Sequence, residues 1–412
     1  MTDYSRWRKK SLQHALQARR VVMLTGPRQC GKTTLVRQLI SKHVEYRTLD
    51  DAIFRKAAEE DPHLFVEGVP GNGTLIIDEV QKVPDLLSAV KKIVDQDNRS
   101  GQFLLTGSAN IQSLPTVQES LAGRVANIRL RPLSQGEIDR RKADFLDRAF
   151  AQSFRGRCPY YDRQTLIDMA FRGGFPEPVR LGSHQRKGWH IDYVEALLAY
   201  DLGEVARIRQ RDVMRELVNI VAAWSSKFLD ITKIGSGLAI ERKTLTSYIS
   251  ALESLFMIES VPAWGKTDYA RVGKQAKLMM TDSGMMTALL RWKPSDLGMN
   301  SDKVGKLFET FVHHELACQV DAADGTCKIF HYRDREKREI DFMIERDDRA
   351  LLGIEVKSGL TVRGQDFKHL RWFQKNLTVD RPFVGIILYA GEVAVPFGKD
   401  LWAVPYGYLW GP

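Results

Sequence analysis

The segment that most limits what this chain can fold into lies near its start: Thr25-Gly-Pro-Arg-Gln-Cys-Gly-Lys-Thr-Thr34. Before it stands the apolar run Val21-Val-Met-Leu24, of the kind buried in a parallel sheet. After it comes a helical pattern with Leu35, Leu39 and Ile40 on one side. Gly26-x-x-x-x-Gly31-Lys32-Thr33 satisfies the Walker A spacing. Glycines let backbone N–H groups curl around phosphates, and the helix that follows offers its positive end. The expected nucleotide contacts are Gly26, Pro27, Arg28, Gln29, Cys30, Gly31, Lys32, Thr33 and Thr34. Lys32 is placed to reach the β- and γ-phosphates and Thr33 to ligate magnesium, so ATP and Mg2+ are the expected cofactors.

A second segment, Thr74-Leu-Ile-Ile-Asp-Glu79, reads as a buried strand ending in two carboxylates. Downstream of a complete Walker A it fits a Walker B strand, with Asp78 holding magnesium through water and Glu79 polarising the attacking water. A third strand, Gln102 to Asn110, ends in small polar residues. Thr106, Ser108 and Asn110 are its candidates for a contact beside the γ-phosphate, Ser108 preferred. Ser120-Leu-Ala-Gly-Arg124 then precedes the strand-like Ala126–Leu130. Arg124 is either a residue that reaches a neighbouring subunit's nucleotide or a packing arginine.

At 412 residues, 43% hydrophobic and 27% charged, the chain has ordinary globular composition. Two or three domains are expected at this length. No apolar stretch reaches the ~18 residues of a membrane helix, and the polar start reads as no signal peptide. A cytoplasmic protein is the expectation. Cys30, Cys158, Cys318 and Cys327 are scattered, which suggests neither a disulfide framework nor a zinc site. The net charge of +10 carries no basic tail and permits nucleic-acid binding without demanding it.

Gly-Pro-Arg-Gln-Cys-Gly-Lys-Thr-Thr-Leu, Leu-Ile-Ile-Asp-Glu-Val-Gln, Leu-Leu-Thr-Gly-Ser, Ser-Leu-Ala-Gly-Arg and Arg-Pro-Leu-Ser-Gln-Gly-Glu137 occur in that order, followed by Gly173-Gly-Phe-Pro-Glu177. Together they resemble the prokaryotic AAA-type ATPases that carry a C-terminal domain of unknown function. The resemblance implies an ATPase core with a small helical lid, a winged helix and a restriction-endonuclease-like end. Cys30 departs from the small aliphatic residue expected in that loop. The expected fold class is thus α/β. A P-loop parallel-sheet core spans residues 1–132 and a helical lid and linker 133–202. A winged-helix-like region spans 203–300 and a nuclease-like α/β domain 301–412.

In the middle region, Arg172-Gly-Gly-Phe-Pro-Glu-Pro178 reads as a turn or domain junction. The helical segment Glu241–Phe256 spaces Leu245, Ile249, Leu252 and Phe256 as one buried stripe and turns Arg242, Lys243 and Ser247 away from it. Two strand-like segments, at 257–261 and 277–281, complete a helix–helix–helix–wing order. Such a unit either reads a DNA groove or packs on the rest of the protein.

In the last third, Leu351-Leu-Gly-Ile-Glu-Val-Lys357 reads as a strand that puts Ile354 and Val356 in a core and Glu355 and Lys357 on the opposite face. Asp341 enters a preceding strand, with a turn at Asp347-Asp-Arg349 between the two. Asp341, Glu355 and Glu309 are the candidate magnesium ligands, and Lys357 the residue that orients water or neutralises charge. His313 and His314 read as packing or surface residues, and Arg363, Lys368, His369 and Arg371 as a phosphate grip or a solvated face. The favoured function is an ATP-hydrolysing homo-oligomer acting on DNA with a tethered nuclease-like domain. The alternative is a nucleotide-switched protein whose C-terminal domain binds nucleic acid or protein without cutting. A nucleotide kinase fits poorly, because the chain after the P-loop core is long.

Overall fold

Strands β1 (Val21–Thr25), β2 (Val44–Thr48), β3 (Thr74–Asp78), β4 (Phe103–Gly107) and β5 (Val125–Arg129) form one all-parallel sheet in the order β2-β3-β4-β1-β5. The computed structural model describes residues 4–67, 73–108, 123–154, 158–202, 210–267, 269–297 and 300–411. Strand β1 is buried along its whole length because both faces of the sheet are covered. Val21 and Met23 join a core with Leu86 and Val90 of the helix Leu86–Gln96. Val22 and Leu24 join another with Leu12 of the helix Arg8–Ala18 and Leu35 of the helix Lys32–Arg37. That split is the two-residue period of a strand. Since β4 lies between β1 and β3, its polar end is inserted between the P-loop and the Asp78 strand.

After the sheet come helices Gln135–Ile138, Phe145–Phe150, Arg163–Arg172 and Ser183–Ala196. The glycine pair between the last two stands in the turn that separates them. Gly173 has φ +67, and a Cβ there would lie 2.4 Å from Asp282 Oδ1. Gly174 N–H donates to Asp282 Oδ2 at 2.7 Å, while Asp282 Oδ1 caps the helix Ser283–Leu289 by accepting from Met285 N at 2.7 Å. One aspartate thus pins the glycine turn to the next region.

Helices Arg211–Trp224, Ile231–Gly235 and Arg242–Ser254 pack beside a small antiparallel sheet of β6 (Lys227–Phe228), β7 (Ile258–Val261) and β8 (Lys277–Met280), ordered β6-β8-β7. Leu245, Ile249 and Leu252 are buried and Arg242, Lys243 and Ser247 exposed, as the stripe predicts. Phe256 lies beyond the end of the helix at φ +57 and packs under the Arg129 guanidinium, 5.0 Å from its ring centre.

The C-terminal region is a six-stranded mixed sheet. β9 (Cys327–Arg333), β10 (Glu339–Arg346) and β11 (Leu351–Val356) form an antiparallel meander. The helix Lys368–Leu377 then crosses to β12 (Phe383–Tyr389), parallel to β11, and β13 (Val395–Gly398) and β14 (Leu401–Pro405) complete the edge. One face packs on the helix Ser301–Ala322, which Asn300 caps by accepting from Lys303 N at 3.0 Å. Its core runs without a break into that of the middle helices. Among the described residues no helix is long and apolar enough to cross a membrane.

Candidate functional site

The loop after β1 is shaped by two glycines. Gly26 has φ +155, and a Cβ there would stand 2.1 Å from the Leu130 carbonyl oxygen. Gly31, at φ +102, begins the helix carrying Lys32 and Thr33. Side chains at either position would hold the loop off its seat. Lys32, 4% exposed, donates from Nζ to the carbonyls of Gly26 (2.9 Å) and Pro27 (3.0 Å), so its ammonium lies over the loop. Cys30 turns its thiol into the core with Leu12 and Val22, and its carbonyl accepts from Arg6 Nη1 at 2.7 Å. Its side chain is thus part of the core under the loop, and Cys30 is not among the residues that line the cleft.

Asp78 is the hub of the site. Its Oδ2 accepts from Thr33 Oγ1 at 3.0 Å and from the Tyr46 hydroxyl at 2.6 Å, and its Oδ1 accepts from Thr106 Oγ1. Burial first, and then the bond to Asp78, push the Tyr46 hydroxyl up to about 12. Glu79 sits in the left-handed region at φ +61, and its N–H donates to Thr106 Oγ1 at 3.1 Å. Its carboxylate accepts from the Gln81 side-chain amide, which also reaches Ser108 Oγ at 2.9 Å. Of the three polar candidates after β4, Thr106 thus serves Asp78, Ser108 serves Gln81, and Asn110 lies outside the described residues. Tyr46 has no motif to announce it, and Gln81 closes the Leu-Ile-Ile-Asp-Glu-Val-Gln segment without a role assigned to it there. Their nearest sequence signal is position, two residues before the end of β2 and two after Glu79.

A cleft of about 330 Å3 is lined by Arg28, Gln29, Gly31, Lys32, Thr33, Thr34, Asp50, Glu79 and Pro176. A larger cavity of about 740 Å3 shares Gln29, Gly31, Thr34 and Pro176 with it and adds Tyr4, Gln38 and Leu181 among its walls. The helix Ser183–Ala196 touches the loop directly, through Tyr193, whose hydroxyl donates to the Arg28 carbonyl at 3.2 Å. Arg124 is elsewhere. Val125 pairs with Val21, at the start of β1, whereas the P-loop leaves the other end. Arg124 is therefore at the far edge of its own sheet, ion-paired with Asp95. Ser120, Leu121 and Ala122 of its motif lie outside the described residues.

The C-terminal candidates do converge. Glu309, Asp341, Glu355 and Lys357 line one cavity of about 670 Å3, together with Glu339, Lys368 and His369. Asp341 Oδ2 accepts from Val356 N at 2.9 Å, across the β10–β11 pair, and Lys357 Nζ lies 3.5 Å from Glu355 Oε2. Burial, then Asp341, pushes the Glu309 carboxyl up to about 7 and the Glu355 carboxyl up to about 8. His313 and His314 are buried packing residues. Arg371 donates to the carbonyls of Gly364 and Phe397, which fixes it on the protein's own backbone.

An unexpected member of this group is Lys277, the first residue of β8. It is 1% exposed, and its Nζ lies 2.8 Å from Glu309 Oε2, 3.2 Å from Glu339 Oε1 and 3.5 Å from Asp341 Oδ1. Burial opposes its charge, but the carboxylates of Glu309, Asp341 and Glu339 outweigh that and raise the ammonium above its ordinary value. Among the described residues no group of three or more His, Cys, Asp and Glu is arranged to hold a metal ion. The carboxylates as placed close around an ammonium, and they do not fit a divalent cation.

The parallel sheet, the glycine-shaped loop and the Lys32–Thr33–Asp78 cluster resemble those of a P-loop ATPase domain. Residues 18–139 match the family model of an AAA domain. Residues 163–296 and 304–409 match the models of two domains of unknown function, DUF8612 and DUF4143. Over 401 residues the chain is 26% identical to uncharacterised proteins of Mycobacterium bovis and Mycobacterium tuberculosis, covering 96% of this chain and 82% of each of those. Among solved structures it is similar to a Walker-type ATPase of Pyrococcus abyssi, at 16% identity and TM-score 0.42, over 69% of this chain and 94% of that one. It is also similar to AMPPCP-bound DnaA from Aquifex aeolicus, at 13% identity and TM-score 0.29, over 60% and 85%.

Proposed function

We propose that this protein binds and hydrolyses ATP at the loop 26–34 and uses the turnover to rearrange its middle and C-terminal regions on DNA. The observation that carries the reading is the Thr33–Asp78 hydrogen bond at 3.0 Å beside the Lys32 ammonium. A hydroxyl and a carboxylate set against each other at the mouth of a phosphate loop are the donor set a magnesium ion takes, and Tyr46 and Thr106 fix the carboxylate for it. Magnesium, when bound, neutralises phosphate charge. Lys32 exchanges its carbonyl partners for phosphate oxygens, and Arg28, Gln29 and Thr34 line the cleft around them. The larger cavity between Tyr4, Gln38 and Leu181 takes the nucleoside. Glu79 orients a water for attack and accepts its proton, and Gln81 and Ser108 hold that carboxylate in place. Arg124, remote from its own loop, serves a neighbouring copy in a homo-oligomer.

For the distal regions, the exposed Arg242, Lys243 and Ser247 opposite the buried stripe support a winged-helix contact with DNA. The helix, three-stranded meander, crossover helix and parallel strand support a nuclease-like fold. With Lys277 seated among the carboxylates, the reading favoured for that domain is binding without cutting. Phosphate release from ATP and Mg2+ tests the ATPase. The expected result is steady turnover by the natural chain and a loss of at least about 100-fold in E79Q with nucleotide binding retained. Equal turnover by E79Q would remove Glu79 from the mechanism.

A further inference from the structure

A separate cavity of about 760 Å3 shares no lining residue with the phosphate loop or the carboxylate pocket. Its walls are the helices Arg163–Arg172, Ser183–Ala196 and Ser283–Leu289 and the segment just after the last. Its charge is lopsided, with Arg186, Lys187 and Lys293 set against one carboxylate, Asp168. Asp168 is already engaged by Gln164, whose side-chain amide donates to Oδ1 at 3.0 Å. Arg186 is held by neutral partners, donating from Nε to the Pro178 carbonyl at 3.1 Å and from Nη2 to the Leu181 carbonyl at 2.7 Å. Two positive charges therefore go unbalanced. Ser183 begins a 14-residue helix at the same wall, and no side chain caps that helix, whose first N–H groups have no intrahelical partners.

His190 is the buried polar member of the lining. It is 1% exposed, and among the described residues neither of its ring nitrogens has a hydrogen-bond partner. Gly284, also in the lining, makes room for it, since a Cβ there would lie 2.9 Å from Nε2. Buried polar groups are satisfied in folded proteins, so an imidazole left bare at a cavity wall points to a partner that enters from the cavity. Phe171 and Trp292, both part-buried, add two aromatic rings to the walls.

Beyond the ATPase reading, we propose that this cavity binds a nucleoside 5′-monophosphate, as a second ligand separate from the ATP of the loop 26–34. The phosphate takes the bare helix N-terminus together with Arg186, Lys187 and Lys293, because backbone amides and an anchored guanidinium suit its oxygens. A phosphate monoester carries about −1.5 to −2 at neutral pH, which matches the unbalanced charge. The base lies against Phe171 or Trp292, and its polar edge meets His190, which as a neutral imidazole offers one donor and one acceptor. The volume falls within the roughly 300–1,000 Å3 of small-molecule sites. Since the walls come from both sides of the Gly173–Gly174 turn, the ligand ties the helix before that turn to the helix that Asp282 caps.

AMP titrated into the full chain without Mg2+, read by calorimetry, tests the site. The natural chain and K32A are expected to bind one AMP with equal affinity. K187E/K293E should bind it at least about tenfold more weakly while its ATP turnover stays unchanged. Inorganic phosphate, which lacks the ring, should bind at least about tenfold more weakly than AMP. No AMP binding at millimolar concentration, or natural affinity in K187E/K293E, overturns the site. A loss in K32A alone assigns the AMP to the loop 26–34 and overturns it too, and phosphate bound as tightly as AMP overturns the ring contact. ATP turnover by the natural chain reports separately on the ATPase. Should K187E/K293E fail to melt cooperatively, photolabelling of the natural chain with 8-azidoadenosine monophosphate decides. Label on peptides within 164–294 supports the site, and label found only elsewhere overturns it.

Discussion

Arg131, just past β5, donates from Nη1 to Glu259 Oε2 at 2.7 Å and from Nη2 to Glu259 Oε1 at 3.1 Å, a two-pronged pair between the parallel-sheet region and strand β7. Arg129 adds a third bond to Glu259 at 3.0 Å, and Asp321 of the long helix accepts from Arg131 Nε at 2.7 Å. On the other side, the Arg131 carbonyl accepts from Arg6, which also holds the Cys30 carbonyl of the P-loop. A short chain of polar contacts therefore runs from the nucleotide loop to the hairpin whose second strand carries Lys277.

Removing Glu259 leaves the buried Arg131 and the part-buried Arg129 guanidiniums facing one another. E259A is expected to lower stability by about 3 kcal/mol, as measured by urea unfolding, because breaking a buried pair strands its charges. A loss under about 0.5 kcal/mol, the level of a surface pair, would show that the junction is solvated in solution.

Arg242 and Lys243 are exposed at the start of the helix Arg242–Ser254. Their joint replacement by alanine is expected to weaken DNA binding about equally across sequences. It should also reduce the slope of log affinity against log salt by roughly two, one per lost phosphate contact. Fluorescence anisotropy at several salt concentrations measures both. An unchanged slope would place any DNA contact on another surface.

The Glu355 carboxyl, raised to about 8 from an ordinary 4.5, favours the folded state when protonated. Its contribution is fully present below about 4.5 and is lost as pH rises through 8. E355Q, which stays neutral, should therefore gain on the natural chain between pH 5 and pH 8.5, by something on the order of 1 kcal/mol or more. Thermal melts of the two proteins across that range measure the gap. A gap that does not change with pH would mean that Glu355 titrates as an exposed carboxylate.

The parts of this molecule legible in its sequence are those fixed by neighbouring residues. Gly26 to Thr33 carry their own geometry, and the apolar runs ending at Asp78 and Gly107 read as buried parallel strands because both faces of such a sheet are covered. Asp341 and Glu355 could be matched because one tight turn joins their strands. Tyr46 and Lys277 could not. Tyr46 meets Asp78 only through the pairing of β2 with β3. Lys277 precedes Glu309 by a helix, a loop and part of a second helix, and no local pattern distinguishes it from a solvated lysine at a strand start. The sign of a pocket's charge balance depends on such distant partners, so a carboxylate motif alone suggested a metal where the fold supplies an ammonium.

Calorimetric titration of ATP and Mg2+ into the natural chain and into K32A tests the central claim most directly. The account predicts saturable binding by the natural chain and a loss of affinity of at least about tenfold in K32A, since the Lys32 ammonium lies over the loop where the phosphates would sit. No heat of binding by the natural chain, or equal affinity in the two proteins, would contradict it.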